Sequence, residues 1–288
     1  MDFNGKLNFY TEKINEALKK ATEDFPRGNI VSEAMAYSLL AGGKRIRPVI
    51  ALAVAESLGG DMDIALAFGC ALEMIHTYSL IHDDLPCMDN DTMRRGMPTC
   101  HVKYGEAYAL LAGDGLLTYA FSYITDKVSD KEKAFDFIKY LSHMAGIEGM
   151  VGGQTDDIKA ESESADIETL RFIHARKTGA LINAAGAAGA IAAGLDASYA
   201  EDYTKSLGLA FQIKDDILDV EGDEAKMGKT LMKDINSEKS TFVTLMGLEE
   251  AKGELRKETD KAIDACRLFG EKGGFLKELA EVMLKREN

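Results

Sequence analysis

The chain has 288 residues, a hydrophobic share of 46% and a formal net charge of −14. These values fit a chain with a sizeable core and argue against a nucleic-acid binder, whose surface would carry a basic field. Its four cysteines (Cys70, Cys87, Cys100, Cys266) form no C-x-x-C pair, as suits a reducing, cytoplasmic compartment.

The opening residues, MDFNGKLNFY, lack the charged-then-apolar order of a signal peptide. The first marked feature is Gly42-Gly43-Lys44-Arg45-Ile46-Arg47-Pro48, ahead of helical periodicity over 49–58. Pro48 suits the first turn of a helix, and the glycines allow close backbone approach, so the segment reads as an anion cradle. Periodicity resumes over 63–85 and ends in SLIHDDLPCMDND, followed by Arg94-Arg95. Further helical stretches run over 105–127, 131–151 and 166–194, with a polar connection at 152–165. Lys177-Thr178-Gly179 opens a segment that is mostly Ala and Gly to residue 194. That segment is too weak and too interrupted, at Asn183, for a membrane span. A helix apolar all round belongs in the middle of a bundle. Helices over 198–221, 239–267 and 272–286 follow, with the polar connection 222–238 between the first two. All four prolines lie in the first hundred residues, which leaves the rest free for long helices. The chain therefore reads as one all-α domain over 1–288.

Two segments carry more acid than a surface needs. In FQIKDDILD, Asp215 and Asp219 stand one helical turn apart, with Asp216 and Gln212 beside them. Leu209, Ile213, Ile217 and Val220 form the other side of that helix. Like charges at this spacing repel, so the cluster calls for cations. Carboxylates with no His or Cys among them suit Mg²⁺, which shares its sphere with phosphate oxygens. In the first segment, Asp89 would lie about 240° round a regular helix from Asp83. Pro86 should break the helix, so that a loop returns Asp89 towards Asp83 and Asp84. A lone acidic pair is ordinarily a solvated helix end; two such clusters, each delivered by an apolar helix, are not. Thr155-Asp156-Asp157, by contrast, reads as solvated loop.

Cations gather to match. Lys44, Arg47, Arg94, Arg95, Lys177, Lys229, Lys233 and Lys239 surround the acidic segments in sequence, and together they suggest two polyphosphate ligands. His76 lies two turns before Asp83 on the same face. His82 borders the aspartates, but their all-oxygen company argues against a soft-metal role.

GGKRIRP, SLIHDDLPCMDNDTMRRGMPTCHVKYGEAYALLAGD, and FQIKDDILD followed by GKT and KST together resemble the trans-isoprenyl diphosphate synthases, and among them the bacterial farnesyl diphosphate synthases. The resemblance covers about residues 28–288. It implies a homodimer of all-α subunits around a deep apolar cavity. Carried over by position, Asp83, Asp84, Asp89, Asp215, Asp216 and Asp219 would hold three Mg²⁺ and the allylic diphosphate of dimethylallyl or geranyl diphosphate. Arg94, Lys177, Lys229 and Lys239 would be further ligands of that diphosphate. Lys44, Arg47, His76 and Arg95 would bind isopentenyl diphosphate, while Thr178 and Gln212 would face the developing carbocation. Thr92 departs from the family, whose members commonly carry another Asp there.

Tyr78 lies five positions before Asp83, about 7.5 Å down the helix. In the family, an aromatic residue here together with the two-residue insertion in the motif stops growth at farnesyl diphosphate; Ser79, next to it, would leave space. Geranyl or geranylgeranyl diphosphate are the neighbouring product readings. A class I terpene cyclase would lack GGKRIRP and a full second aspartate triad, and a non-catalytic modulating subunit would have lost aspartates or arginines.

Overall fold

Polar side chains set where the helices begin. The computed structural model describes residues 1–162, 165–221 and 240–285. Asp2 caps α1 (Phe3–Glu23) by accepting the Gly5 amide at 2.8 Å, and Asn29 caps α2 (Ile30–Leu39) through the Val31 amide at 2.8 Å. Each side chain satisfies an amide that the first helical turn leaves without a partner. α3 (Ile46–Leu58) instead starts from Arg45 in the left-handed region, with Pro48 in its first turn as the sequence predicts. Asp61 caps α4 (Met62–Asp83). A two-stranded hairpin follows, β1 (Met93–Arg94) pairing antiparallel with β2 (Met97–Pro98). Its two turn residues, Arg95 and Gly96, both have positive φ, 53° and 74°, which is the tight turn that matches strand twist.

The chain continues through α5 (Cys100–Tyr104), α6 (Glu106–Lys127), α7 (Lys131–Ala145), α8 (Met150–Ser162) and α9 (Ile167–His174). α9 passes through a π-helical turn, Ala175–Gly179, into α10 (Ala180–Ala192), and α11 (Glu201–Glu221) follows. The remaining described helices are Phe242–Met246, Leu248–Ala265, the 3₁₀ segment Cys266–Gly273 and Gly274–Lys285.

α4 is the hub, in contact with α3, α6 and α10. It is long and apolar enough to cross a membrane, yet 72% of its most apolar window is buried in protein, as a core helix requires. Phe68 of α4 stacks on Phe137 of α7 at 4.2 Å between ring centroids. The Ala/Gly-rich α10 is buried along its length, as its composition predicts. A Cβ at Gly189 would lie 2.6 Å from Val54 Cβ and 2.7 Å from the Ala51 carbonyl, so glycine there lets α10 lie directly on α3. A second apolar cluster, Leu170, Ala210, Ile213, Ile217, Phe242, Ala251 and Leu255, ties α11 to α9 and the C-terminal helices.

The structure corrects the sequence reading in four places. Residues 3–39 contain two helices where none was assigned. The stretch 152–165, read as a polar connection, is mostly α8. The helix expected over 166–194 changes to π geometry at 175–179, and the one expected over 239–267 is interrupted at Gly247, φ 85°. The predicted connection 222–238 lies outside the described residues. Phe137 is fully buried, so Phe137→Ala should destabilise the protein by about 3–5 kcal/mol, measurable as a fall in the denaturation midpoint.

Candidate active site

The first cationic segment is anchored by a residue that never reaches the cleft. Arg45 is buried and gives Nη1 to Glu73 Oε1 at 2.7 Å, Nη2 to the Leu39 carbonyl at 2.9 Å and Nε to Asn15 at 3.0 Å. With Arg45 consumed, Lys44 faces outward and Arg47 turns into a cavity of about 370 Å³. Arg47 Nε is buried and meets no hydrogen-bond acceptor among the described residues. Burial also lowers the pKa of its guanidinium, against the pull of Glu73. Such a group favours an incoming anion.

α4 delivers the rest of that wall. His76, Tyr78, Ser79, His82 and Asp83 all line the cavity, which brings together His76 and Asp83, the pair the sequence places on one face. Burial and the Arg47 guanidinium, with Arg95, Arg94 and Arg45 farther out, hold the His76 imidazole neutral, well below its ordinary pKa of 6.5. The helix ends at Asp83, and the chain turns back as Pro86 predicts. The Asp89 amide donates to the Asp83 carbonyl at 2.8 Å, with Asn90 in the left-handed region. Burial, opposed by Lys177 and reinforced by Asp89, pushes the Asp83 carboxyl up to about 6. Asp84 points the other way. Its carboxylate is 3% exposed and receives Arg94 in a forked contact, Nη2 at 2.6 Å and Nε at 2.9 Å. Arg94 and Arg95 border a smaller crevice with Thr77 and Asp84. Arg95 donates to the Gly42 carbonyl, and a Cβ on Gly43 would lie 2.7 Å from its guanidinium carbon. The glycine pair therefore lets the second arginine approach the first cationic segment.

The opposite wall is the π-turn. Lys177 and Thr178 line the cavity. Lys177 Nζ lies 2.6 Å from Asp157 Oδ2, and Arg176 Nη1 lies 2.5 Å from Asp156. Asp157 is buried, which overturns its reading as solvated loop: α8 carries successive acids that clamp the successive bases of the turn. The contact is close because a Cβ on Gly153 would stand 2.2 Å from the Lys177 nitrogen. Sequence reasoning missed this role for Asp157, and likewise missed Arg45 and Glu73. The neighbouring Gln154 faces the cavity, with its Oε1 buried and unpartnered among the described residues.

The second aspartate cluster lies on α11. Asp216 and Asp219 are buried and Asp215 is half-buried. Asp216 Oδ2 accepts the Phe242 amide at 2.7 Å, which joins α11 to the helix Phe242–Met246. Asp215 is near enough to bear on the charge of Arg47. Gln212 lies one turn before Asp216 on the same helix. Lys229 and Lys239 lie outside the described residues.

The donor chemistry fits Mg²⁺. The clustered acids offer only carboxylate oxygens, the donors that Mg²⁺ prefers. Among the described residues no three acids converge into a ready-made cage. Mg²⁺ ordinarily takes one or two carboxylates and completes its shell with water and substrate phosphate.

A family model described as polyprenyl synthetase matches residues 28–272. The chain is 45% identical to a farnesyl diphosphate synthase of Bacillus subtilis, over 98% of this chain and 94% of that protein. It is 42% identical to a geranylgeranyl diphosphate synthase of Cyanophora paradoxa, over 100% of this chain and 98% of that protein. Among solved structures, the apo form of an FPP/GFPP synthase from Zymomonas mobilis superposes with a TM-score of 0.87 at 33% identity, covering 98% of each chain.

The neutral His76 gives the fold a pH dependence of known sign. Below about pH 6.5 the unfolded chain binds a proton that the folded imidazole resists, so stability falls as pH falls through that window. His76→Gln should lose less stability than wild type between pH 7 and pH 5, as read from denaturant midpoints.

Proposed function

The chain belongs to the polyprenyl synthetase family, and on that premise we propose that it is a farnesyl diphosphate synthase, joining isopentenyl diphosphate first to dimethylallyl and then to geranyl diphosphate. The observation that carries this reading is one cavity lined by charged, polar and aromatic side chains together. Asp83, Lys177, Thr178, Arg47, His76 and Tyr78 all border it, and Tyr78, five residues before Asp83 on α4, is read as its floor.

In each condensation the allylic C–O bond breaks and its electron pair leaves with diphosphate. The isopentenyl double bond then forms the new C–C bond, and the released diphosphate takes the proton whose loss regenerates an alkene. Lys177 and Arg94, with Lys229 and Lys239, are assigned to the departing diphosphate. Charge-assisted contacts of this kind are the strong ones. Lys44, Arg47, His76 and Arg95 are assigned to isopentenyl diphosphate, supported by the buried unpartnered Nε of Arg47 and by Arg95 lying against Gly42. Thr178 and Gln212 would turn oxygens towards the allylic cation, and the enclosed apolar wall would keep water from quenching it. Mg²⁺, three ions by family resemblance, would supply charge stabilisation to the leaving group from Asp83, Asp84, Asp89, Asp215, Asp216 and Asp219.

The same reading makes the protein a cytoplasmic homodimer, in keeping with its free thiols and with the exposed Tyr108, Leu110 and Leu111 of α6. The cationic site and the two acidic clusters set it apart from the rivals. A terpene cyclase has no use for the Arg47 and Arg95 site, and a modulating subunit has no use for both acidic clusters.

Two outcomes test the proposal. Excess chelator should abolish condensation and added Mg²⁺ restore it, while Asp83→Ala should lower kcat by about a hundredfold or more, the usual loss for one preorganised charge-stabilising element. Full turnover in chelator would refute the assignment. Tyr78 is 6% exposed and borders the cavity, so Tyr78→Ala should shift the product from farnesyl towards geranylgeranyl diphosphate. Chromatography of the dephosphorylated alcohols reads the shift directly.

A further inference from the structure

Gly113 lies in the interior of α6, where alanine would make the better helix. A Cβ there would stand 2.1 Å from His82 Nε2 and 2.4 Å from its Cδ2. The imidazole thus fills the volume that a side chain on α6 would take. His82 Nε2 lies 3.0 Å from the Leu110 carbonyl oxygen. A carbonyl only accepts, so this nitrogen carries the proton and fixes the ring's orientation. Asp114 Oδ1 lies 4.0 Å from the same nitrogen. Four residues back along α4, on the same face, the Tyr78 ring meets the imidazole edge to face, with centroids 5.7 Å apart and planes at 77°. The ring is therefore supported from α6 through a single intermediary.

We propose that His82, seated over Gly113 and tethered to the Leu110 carbonyl, is a positioning residue for product length: it holds the Tyr78 ring across the cavity. The inference rests on the reading of Tyr78 as the cavity floor. It assigns His82, immediately before the aspartates, a role in specificity rather than in metal binding. It also explains why α6 carries glycine at this position. With the imidazole displaced or replaced, the tyrosine ring loses its edge-to-face support and is free to leave its place across the cavity, so the floor opens.

The test compares wild type, Gly113→Ala, His82→Leu, Tyr78→Ala and the double variant Gly113→Ala/Tyr78→Ala. Products are dephosphorylated and separated by chain length at equal isopentenyl turnover, with thermal unfolding run on each protein. Gly113→Ala and His82→Leu should each raise the ratio of geranylgeranyl-length or longer product to farnesyl by about tenfold, the scale set by losing one hydrogen-bonded support. The first condensation in Gly113→Ala should proceed near the wild-type rate. The double variant should reproduce the Tyr78→Ala distribution, because His82 acts only through the tyrosine. If Gly113→Ala does not fold, His82→Leu carries the same comparison. Unchanged products in both single variants while Tyr78→Ala lengthens them would overturn this proposal alone. Unchanged products in Tyr78→Ala as well would overturn the floor reading and this inference with it. Additive lengthening in the double variant would show that His82 does not act through Tyr78, and would also overturn it.

Discussion

The cleft depends on the buried ion pair between Arg45 and Glu73. Arg45 sits at the start of α3 and Glu73 in the middle of α4, and both side chains are almost wholly out of water, at 1% and 3% exposure. A pair this deep adds little net stability, because desolvating two charges offsets most of their attraction. What it does is fix register. The Leu39 carbonyl and Asn15 take the remaining guanidinium donors, so the loop before α3 has one position against α4. His76, Tyr78 and Asp83 lie three, five and ten residues beyond Glu73 on the same helix. The spacing between Arg47 and those side chains is therefore set by the same contact.

The second constraint is that three of the cations at or behind the cleft are each held by a carboxylate. Arg94 lies on Asp84, Lys177 on Asp157 and Arg176 on Asp156. The chain as a whole carries −14, yet these cations are oriented by local carboxylates. Such orientation holds a cation where charge will develop, without the reorganisation that water would need. An arginine shared with a buried aspartate gives up part of its attraction for any other anion.

Much of this was legible in the sequence, and the reason differs from element to element. The end of α4 could be read because proline chemistry is local: Pro86 forbids the next turn, and the chain then returns so that the Asp89 amide meets the Asp83 carbonyl. The burial of α10 could be read from its composition. α1 carried a readable signal, with Tyr10, Ile14, Leu18 and Ala21 spaced for one helical face, but its polar surroundings obscured it. Other features are tertiary. Nothing in Lys44-Arg45-Ile46-Arg47 says which arginine is buried, since that is decided by Glu73, 28 residues away. Asp157 looked like loop because its partner, Lys177, lies 20 residues on.

The π-turn at 175–179 shows why such features escape a periodicity argument. A regular α-helix through 166–194 would place Lys177 and Thr178 by the 3.6-residue rule alone. The wider turn shifts them by part of a residue relative to α10, and turns of this kind recur at functional sites. Its closest neighbours lie outside its own segment. α8 presses Gly152 and Gly153 against Arg176 and Lys177 so closely that neither glycine could carry a side chain. Asp156 and Asp157 then capture the two bases from the next turn of α8. The glycines set how near the helices come, and the acids set which way the bases face. The position of the cation at the cleft mouth is thus written in α8, a segment that by composition resembles an ordinary polar connection.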